Sequence, residues 1–94
     1  MEINVQSVKF DADAKLLEFI EKKLSRIEKF NAGINALDVT LTLLPDNANK
    51  CVKIRAHATG KDLFVEKNAN TFEDAVTVCA DVLKEQISRL KDRD

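Results

Sequence analysis

The sequence predicts an α+β fold of order β-α-β-β-β-α, in which a four-stranded mixed sheet carries both helices on one face. Three observations predict it. Apolar and polar residues alternate near the start of the chain and again through its middle, the two-residue period of half-buried strands. Two longer segments repeat their apolar residues every three to four positions, the period of amphipathic helices. Pro45, Gly33 and Gly60 fall between these segments, where chain reversals are expected.

Ile3, Val5 and Ser7 alternate with Asn4 and Gln6, which gives a first strand over about residues 2 to 8. Asp13 suits a helix N-cap, and Leu16, Leu17, Ile20, Leu24 and Ile27 carry a helix to Phe30, ended by Asn31-Ala32-Gly33. Leu37, Val39, Leu41 and Leu43 face one way and Asp38, Thr40 and Thr42 the other, a half-buried strand that stops at Pro45. Asp46-Asn47-Ala48-Asn49 is the turn. Val52, Ile54, Ala56 and Ala58 then alternate with Lys53, Arg55, His57 and Thr59, and Gly60-Lys61-Asp62 makes a tight reversal. A shorter fourth strand follows around Leu63 to Glu66. Thr71 with Asp74 opens the last helix in the manner of a capping box. Its face holds Phe72, Ala75, Val76, Cys79, Val82, Leu83, Gln86, Ile87 and Leu90, with Gln86 expected to reach the surface or a partner.

The first β-α-β passage needs a crossover, so strands one and two are expected to be parallel and the rest antiparallel. One apolar stripe per helix puts both helices on one sheet face and leaves the other to solvent. This is the α-β-β-β-α arrangement of double-stranded-RNA-binding domains with a strand added in front.

At 94 residues and 45% hydrophobic composition, one domain spanning residues 1–94 is expected. A domain this small buries only about two-thirds of its unfolded surface, which leaves little for a deep catalytic pocket. The 15 Lys+Arg and 16 Asp+Glu give a net charge of −1, so any nucleic-acid reading must rest on where the charges sit. No apolar run approaches the roughly 18 residues of a membrane span, and the start has no signal-peptide pattern, so a cytoplasmic location is expected. Cys51, Cys79 and His57 cannot by themselves make a four-ligand zinc site. No metal and no cofactor are expected.

Projected at about 100° per residue, Lys15, Lys22, Arg26 and Lys29 share one narrow stripe of the first helix, with Phe19 and Phe30 at its border. Glu18, Glu21 and Glu28 lie farther round, and Lys23 is expected on the other flank of the apolar face. On the last helix Lys84 and Lys91 share a face while Arg89 and Arg93 project on another. Glu73, Asp81, Glu85, Asp92 and Asp94 weaken that potential. Catalysis needs a converging nucleophile, base or metal set, and none is legible. His57 reads as an exposed imidazole, Asp11 and Asp13 as helix-start chemistry. No phosphate-binding glycine motif is present. An acylphosphatase-like fold would need an Arg in the loop after strand one, where Phe10-Asp11-Ala12-Asp13 stands.

Across nearly its whole length the chain resembles the short ribosome hibernation promoting factors and ribosome-associated translation inhibitors, also called sigma-factor modulators. The resemblance is carried by Ile3-Asn4-Val5-Gln6-Ser7, Phe10-Asp11-Ala12-Asp13, Lys15-Leu16-Leu17-Glu18-Phe19-Ile20, Lys22-Lys23-Leu24 and Ile27-Glu28-Lys29-Phe30. Gly60-Lys61-Asp62-Leu63-Phe64 and Thr71-Phe72-Glu73-Asp74-Ala75 continue it, as do Asp81, Leu83, Gln86, Ile87, Arg89 and Lys91. Val82 and Glu85 stand where the family's closing pattern has Lys and Arg.

The resemblance implies a non-enzymatic factor of ribosome hibernation, stress and stationary phase that binds the small ribosomal subunit and its ribosomal RNA. It would lodge in the decoding region and block messenger and transfer RNA. The RNA-binding residues are then expected to be Lys22, Lys23, Arg26, Lys29, Lys84, Arg89 and Lys91. It also implies a monomer, with no C-terminal dimerisation domain, membrane association or small-molecule substrate. The alternative is a regulatory protein-interaction module using the exposed sheet face or an edge strand; a third is a general binder of structured RNA.

Overall fold

A computed structural model describes residues 2–29, 33–45 and 49–92, with side chains as far as Arg89. The elements are β1 (Glu2–Val8), α1 (Ala14–Ser25), a 3-10 turn (Arg26–Lys29), β2 (Ile34–Leu43), β3 (Lys50–Ala58), β4 (Lys61–Ala69) and α2 (Phe72–Asp92). The four strands form one sheet in the order β1-β2-β3-β4. β1 runs parallel to β2, with Ile3 opposite Leu37 and Val5 opposite Val39. The other two pairings are antiparallel.

The two-residue period decides which face is covered. Leu37, Val39, Leu41, Val52, Ile54, Ala56, Leu63 and Val65 point one way and form a single cluster with both helices. Leu16, Ile20 and Leu24 enter it from α1, Ile27 from the 3-10 turn, and Ala75, Val76, Cys79, Leu83 and Ile87 from α2. Both helices therefore sit on one face. Among the described residues no polar or charged residue is buried, so this core is held by apolar burial and close packing.

Local chemistry sets the boundaries. The Asp13 carboxylate accepts the Leu16 N–H at 2.8 Å and caps α1. The first helix ends sooner than the expected Phe30. The Ser25 hydroxyl donates to the Lys22 carbonyl at 3.1 Å, a bond that competes with the helical ladder, and the chain then tightens into the 3-10 turn. Phe30, Asn31 and Ala32 lie outside the described residues, as do Asp46, Asn47 and Ala48 of the expected turn. Beside that turn the Leu44 N–H donates to the Asn49 carbonyl at 2.8 Å and draws the ends of the hairpin together.

β4 is not the short strand that the side-chain pattern suggested. It pairs with β3 along its length, as far as Cys51 opposite Asn68 and Lys50 opposite Ala69. Its polar second half thus has no apolar alternation to announce it; the backbone ladder with β3 makes it a strand. The reversal before it is Thr59-Gly60, with Gly60 at φ 80°, a conformation glycine adopts without strain. Lys61 and Asp62 already belong to the strand.

At the start of α2 the Asp74 N–H donates to the Thr71 hydroxyl at 3.1 Å. The rings of Phe10 and Phe72 stack there, centroids 5.0 Å apart and 9° from parallel, and pin the loop after β1 to the head of α2. Gln86 finds the partner expected of it: its amide nitrogen donates to the Phe64 carbonyl at 3.4 Å, while its Oε1 is buried without a hydrogen bond.

In the loop after β1, Lys9 holds φ 67°. The left-handed region costs an L side chain about 1–2 kcal/mol, and glycine loses part of that advantage to chain entropy. Lys9→Gly is therefore expected to stabilise the protein by about 0.5–1 kcal/mol, read as an upward shift of the denaturant midpoint at constant m-value.

Candidate nucleic-acid interface

With Leu16, Ile20, Leu24 and Ile27 committed to the core, the opposite side of α1 is left to water. Lys15, Lys22, Arg26 and Lys29 are all exposed there. The 3-10 turn brings Arg26 and Lys29 into line, because residues three apart eclipse in that geometry. Phe19, Lys22, Lys23 and Arg26 line a shallow pocket of about 170 Å³. Lys23 therefore stands on the same side as Lys22 and Arg26 and not on the expected other flank of the apolar face; a correct projection at about 100° per residue also puts it on this side, about 40° from Phe19. None of Lys22, Lys23 and Arg26 is ion-paired among the described residues. The half-buried Phe19 ring beside three cations can stack on an unpaired base.

The expected site residues on α2 are arranged differently. Arg89 is held by Glu85 at 2.7 Å across one helical turn. Lys84 is half-buried, and at about 100° per residue it projects to another side of α2 than Arg89. The side chain of Lys91 lies outside the described residues. The structure thus brings Lys22, Lys23 and Arg26 together, with Lys29 one 3-10 turn beyond Arg26, and leaves Lys84 and Arg89 as separate charges.

The uncovered sheet face carries a network that the sequence reading missed. His57 Nε2 lies 2.6 Å from Asp38 and its Nδ1 3.4 Å from Asp62. Asn4 donates to the other Asp38 oxygen at 3.1 Å, so four strands are tied by one row of side chains. The hydrogen bond that His57 donates to the Asp38 carboxylate raises the His57 pKa above its ordinary 6.5 and lowers that of Asp38 below its ordinary 3.8. Asp38 is opposite Arg55 in the ladder and only diagonal to His57, so alternation alone cannot pair them.

The sign follows from linkage. A raised histidine pKa contributes stability that is full below pH 6.5 and fades as pH rises through the folded value. The lowered Asp38 pKa contributes stability that is full above pH 3.8 and fades as pH falls through the folded value. The melting-temperature difference between wild type and His57→Gln is expected to be largest between these limits and to shrink toward pH 9. A difference independent of pH would show that no imidazolium is held there.

Both thiols are chemically quiet. Burial pushes the Cys79 thiol up to about 12, and its Sγ donates to the Val52 carbonyl at 3.6 Å. Cys51 is raised by burial and then by its bond to Glu66 at 3.5 Å. Protonated thiols are poor nucleophiles and poor metal ligands. Among the described residues no three His, Cys, Asp or Glu groups converge to hold a metal ion, and no helix is long and apolar enough to cross a membrane.

The fold and this exposed helix face define a small α+β protein whose two helices cover one side of a mixed four-stranded sheet. Residues 3–94 match the family described as sigma 54 modulation protein / S30EA ribosomal protein, and the chain belongs to that family. A ribosome hibernation promoting factor of Azotobacter vinelandii is 22% identical over 93 residues, covering 99% of this chain and 85% of that protein. The structure of a ribosomal subunit interface protein from Coxiella burnetii superposes with a TM-score of 0.89 at 22% identity, covering 98% of this chain and 99% of that one. The N-terminal domain of Thermus thermophilus Protein Y superposes with a TM-score of 0.79 at 20% identity, over 95% of this chain and 94% of that domain.

Proposed function

We propose that this protein is a cytoplasmic ribosome hibernation and translation-inhibition factor. It binds the small ribosomal subunit at the decoding region and there blocks access of messenger and transfer RNA. The observation that carries the reading is the cluster of Lys22, Lys23 and Arg26 around Phe19, none of the three ion-paired among the described residues. Family membership and the name of the Azotobacter vinelandii relative support its assignment to the ribosome.

The mechanism asks for shape and charge and for no covalent chemistry. Lys22, Lys23, Arg26 and Lys29 displace counterions from ribosomal RNA phosphates, and the wide, shallow groove of folded RNA admits a helix edge. Lys84, Arg89 and Lys91 extend the contact with less effect. The protein acts as a monomer whose bulk fills the site.

Pelleting of the purified protein with small subunits and with free duplex RNA, at two salt concentrations, tests the proposal. Salt-sensitive co-sedimentation with subunits in excess of duplex binding is expected. Equal capture by both would reduce the protein to a general RNA binder. A salt-insensitive protein partner with no subunit binding would turn the reading to the uncovered sheet face, where Phe64 is 51% exposed.

A further inference from the structure

The two edges of the sheet are finished differently. At β4 the Gln86 amide reaches over and donates to the Phe64 carbonyl, so α2 engages one backbone group of that edge, and Lys61, Asp62, Glu66 and Lys67 charge the strand. At the other end β1 pairs only with β2, and among the described residues no side chain from another element bonds to its outer backbone. β1 carries few of the devices that blunt an open edge: Glu2 is the one charge in Glu2–Val8, which contains no proline, lysine or arginine, and no bulge interrupts its pairing.

The helix-side face beside this edge is only partly covered. Ile3 and Val5 point toward the core yet remain half-buried, and Leu17 of α1 is 39% exposed. Between β1 and α1 these three residues line an open groove of about 390 Å³, walled on its outer side by Glu21, Ser25 and Glu28. α1 is therefore two-sided. Its cations stand on one flank, and the flank toward β1 is apolar at the base and acidic at the rim.

We propose that this edge and groove form a docking site for an extended, lysine- or arginine-rich segment of a partner protein, which adds to β1 as a fifth strand. Backbone hydrogen bonds along the open edge would provide the attachment, and alternate side chains would enter the groove. Lysine and arginine suit it because their aliphatic stems can lie on Ile3, Val5 and Leu17 while a head reaches Glu21 at the rim. The acidic rim disfavours RNA, so this site and the α1 cations take partners of opposite charge. It also disfavours a second copy of this chain, since pairing β1 with β1 would bring two acidic rims together.

The test is an amide NMR titration of the whole protein with a capped synthetic peptide alternating lysine and valine, with a glutamate-valine peptide as control. Saturable shifts confined to β1 and to Leu17, Glu21 and Ser25 are expected for the lysine peptide alone. Glu21→Lys should weaken its binding about tenfold, as replacement of an attraction by a repulsion of about 1.4 kcal/mol implies. The milder Glu21→Gln should weaken it about threefold with the amide spectrum of the free protein preserved. Lys22→Gln should leave peptide binding unchanged, which separates this site from the RNA reading. Equal binding of both peptides, or shifts centred on β4, would overturn the proposal. So would concentration-dependent shifts along β1 without peptide, which would make a second copy the occupant.

Discussion

Changing Lys22, Arg26 and Lys29 together to Gln is expected to lower the slope of log affinity against log salt by roughly two to three units. At physiological salt it should weaken small-subunit binding by about a hundredfold. Each phosphate contact releases counterions worth about 0.7–0.9 of slope, and Lys22 and Arg26 have no competing ion pair among the described residues. The same change at Lys84, Arg89 and Lys91 should do less. Arg89 already spends its charge on Glu85 at 2.7 Å, so less of it is available to a phosphate. All three α1 residues are exposed, so melting temperatures should stay close to wild type. Binding isotherms across a salt series decide the matter, and an unchanged slope for the α1 variant would remove that face from the RNA contact.

The placement of these charges shows how far a sequence can be read. Alternation through Leu37–Leu43 and Val52–Ala56 identified the covered sheet face, and the three-to-four spacing of Leu16, Ile20 and Leu24 identified the buried side of α1. These signals are strong because burial selects apolar residues directly. The side of Lys23 is equally legible, contrary to the expected other flank: four residues after Phe19 and three before Arg26, it falls at about 100° per residue on their flank of the helix. β4 was read too short because Lys67 and Asn68 are ordered by backbone pairing to β3, which leaves no mark on side-chain polarity. The Asp38–His57–Asp62 row was invisible for a related reason: a register between strands is set in three dimensions, and in it Asp38 faces Arg55 and lies only diagonal to His57. The stack of Phe10 on Phe72 joins residues from opposite ends of the chain, and no local pattern marks either as the other's partner.

Leu83→Ala is expected to cost about 3 kcal/mol of stability, within the 2–5 kcal/mol range of buried leucine truncations. Leu83 is 0% exposed and lies in the cluster that α2 shares with the sheet and α1, so the lost methyl groups leave a void with apolar walls. The cluster around Leu83 is apolar, and a dry cavity with such walls gains nothing from a trapped water. For a chain of this length the change corresponds to a fall in melting temperature of roughly 12 to 24 °C, a large share of the stability such domains possess. The effect is separable from the charge variants. At a temperature where Leu83→Ala remains folded, its salt slope on the small subunit should match wild type, because no phosphate contact has been removed. A melting temperature within about 2 °C of wild type would mean that α2 closes the void by sliding on the sheet. In that case the helices would not hold the α1 cations as rigidly as the RNA reading requires.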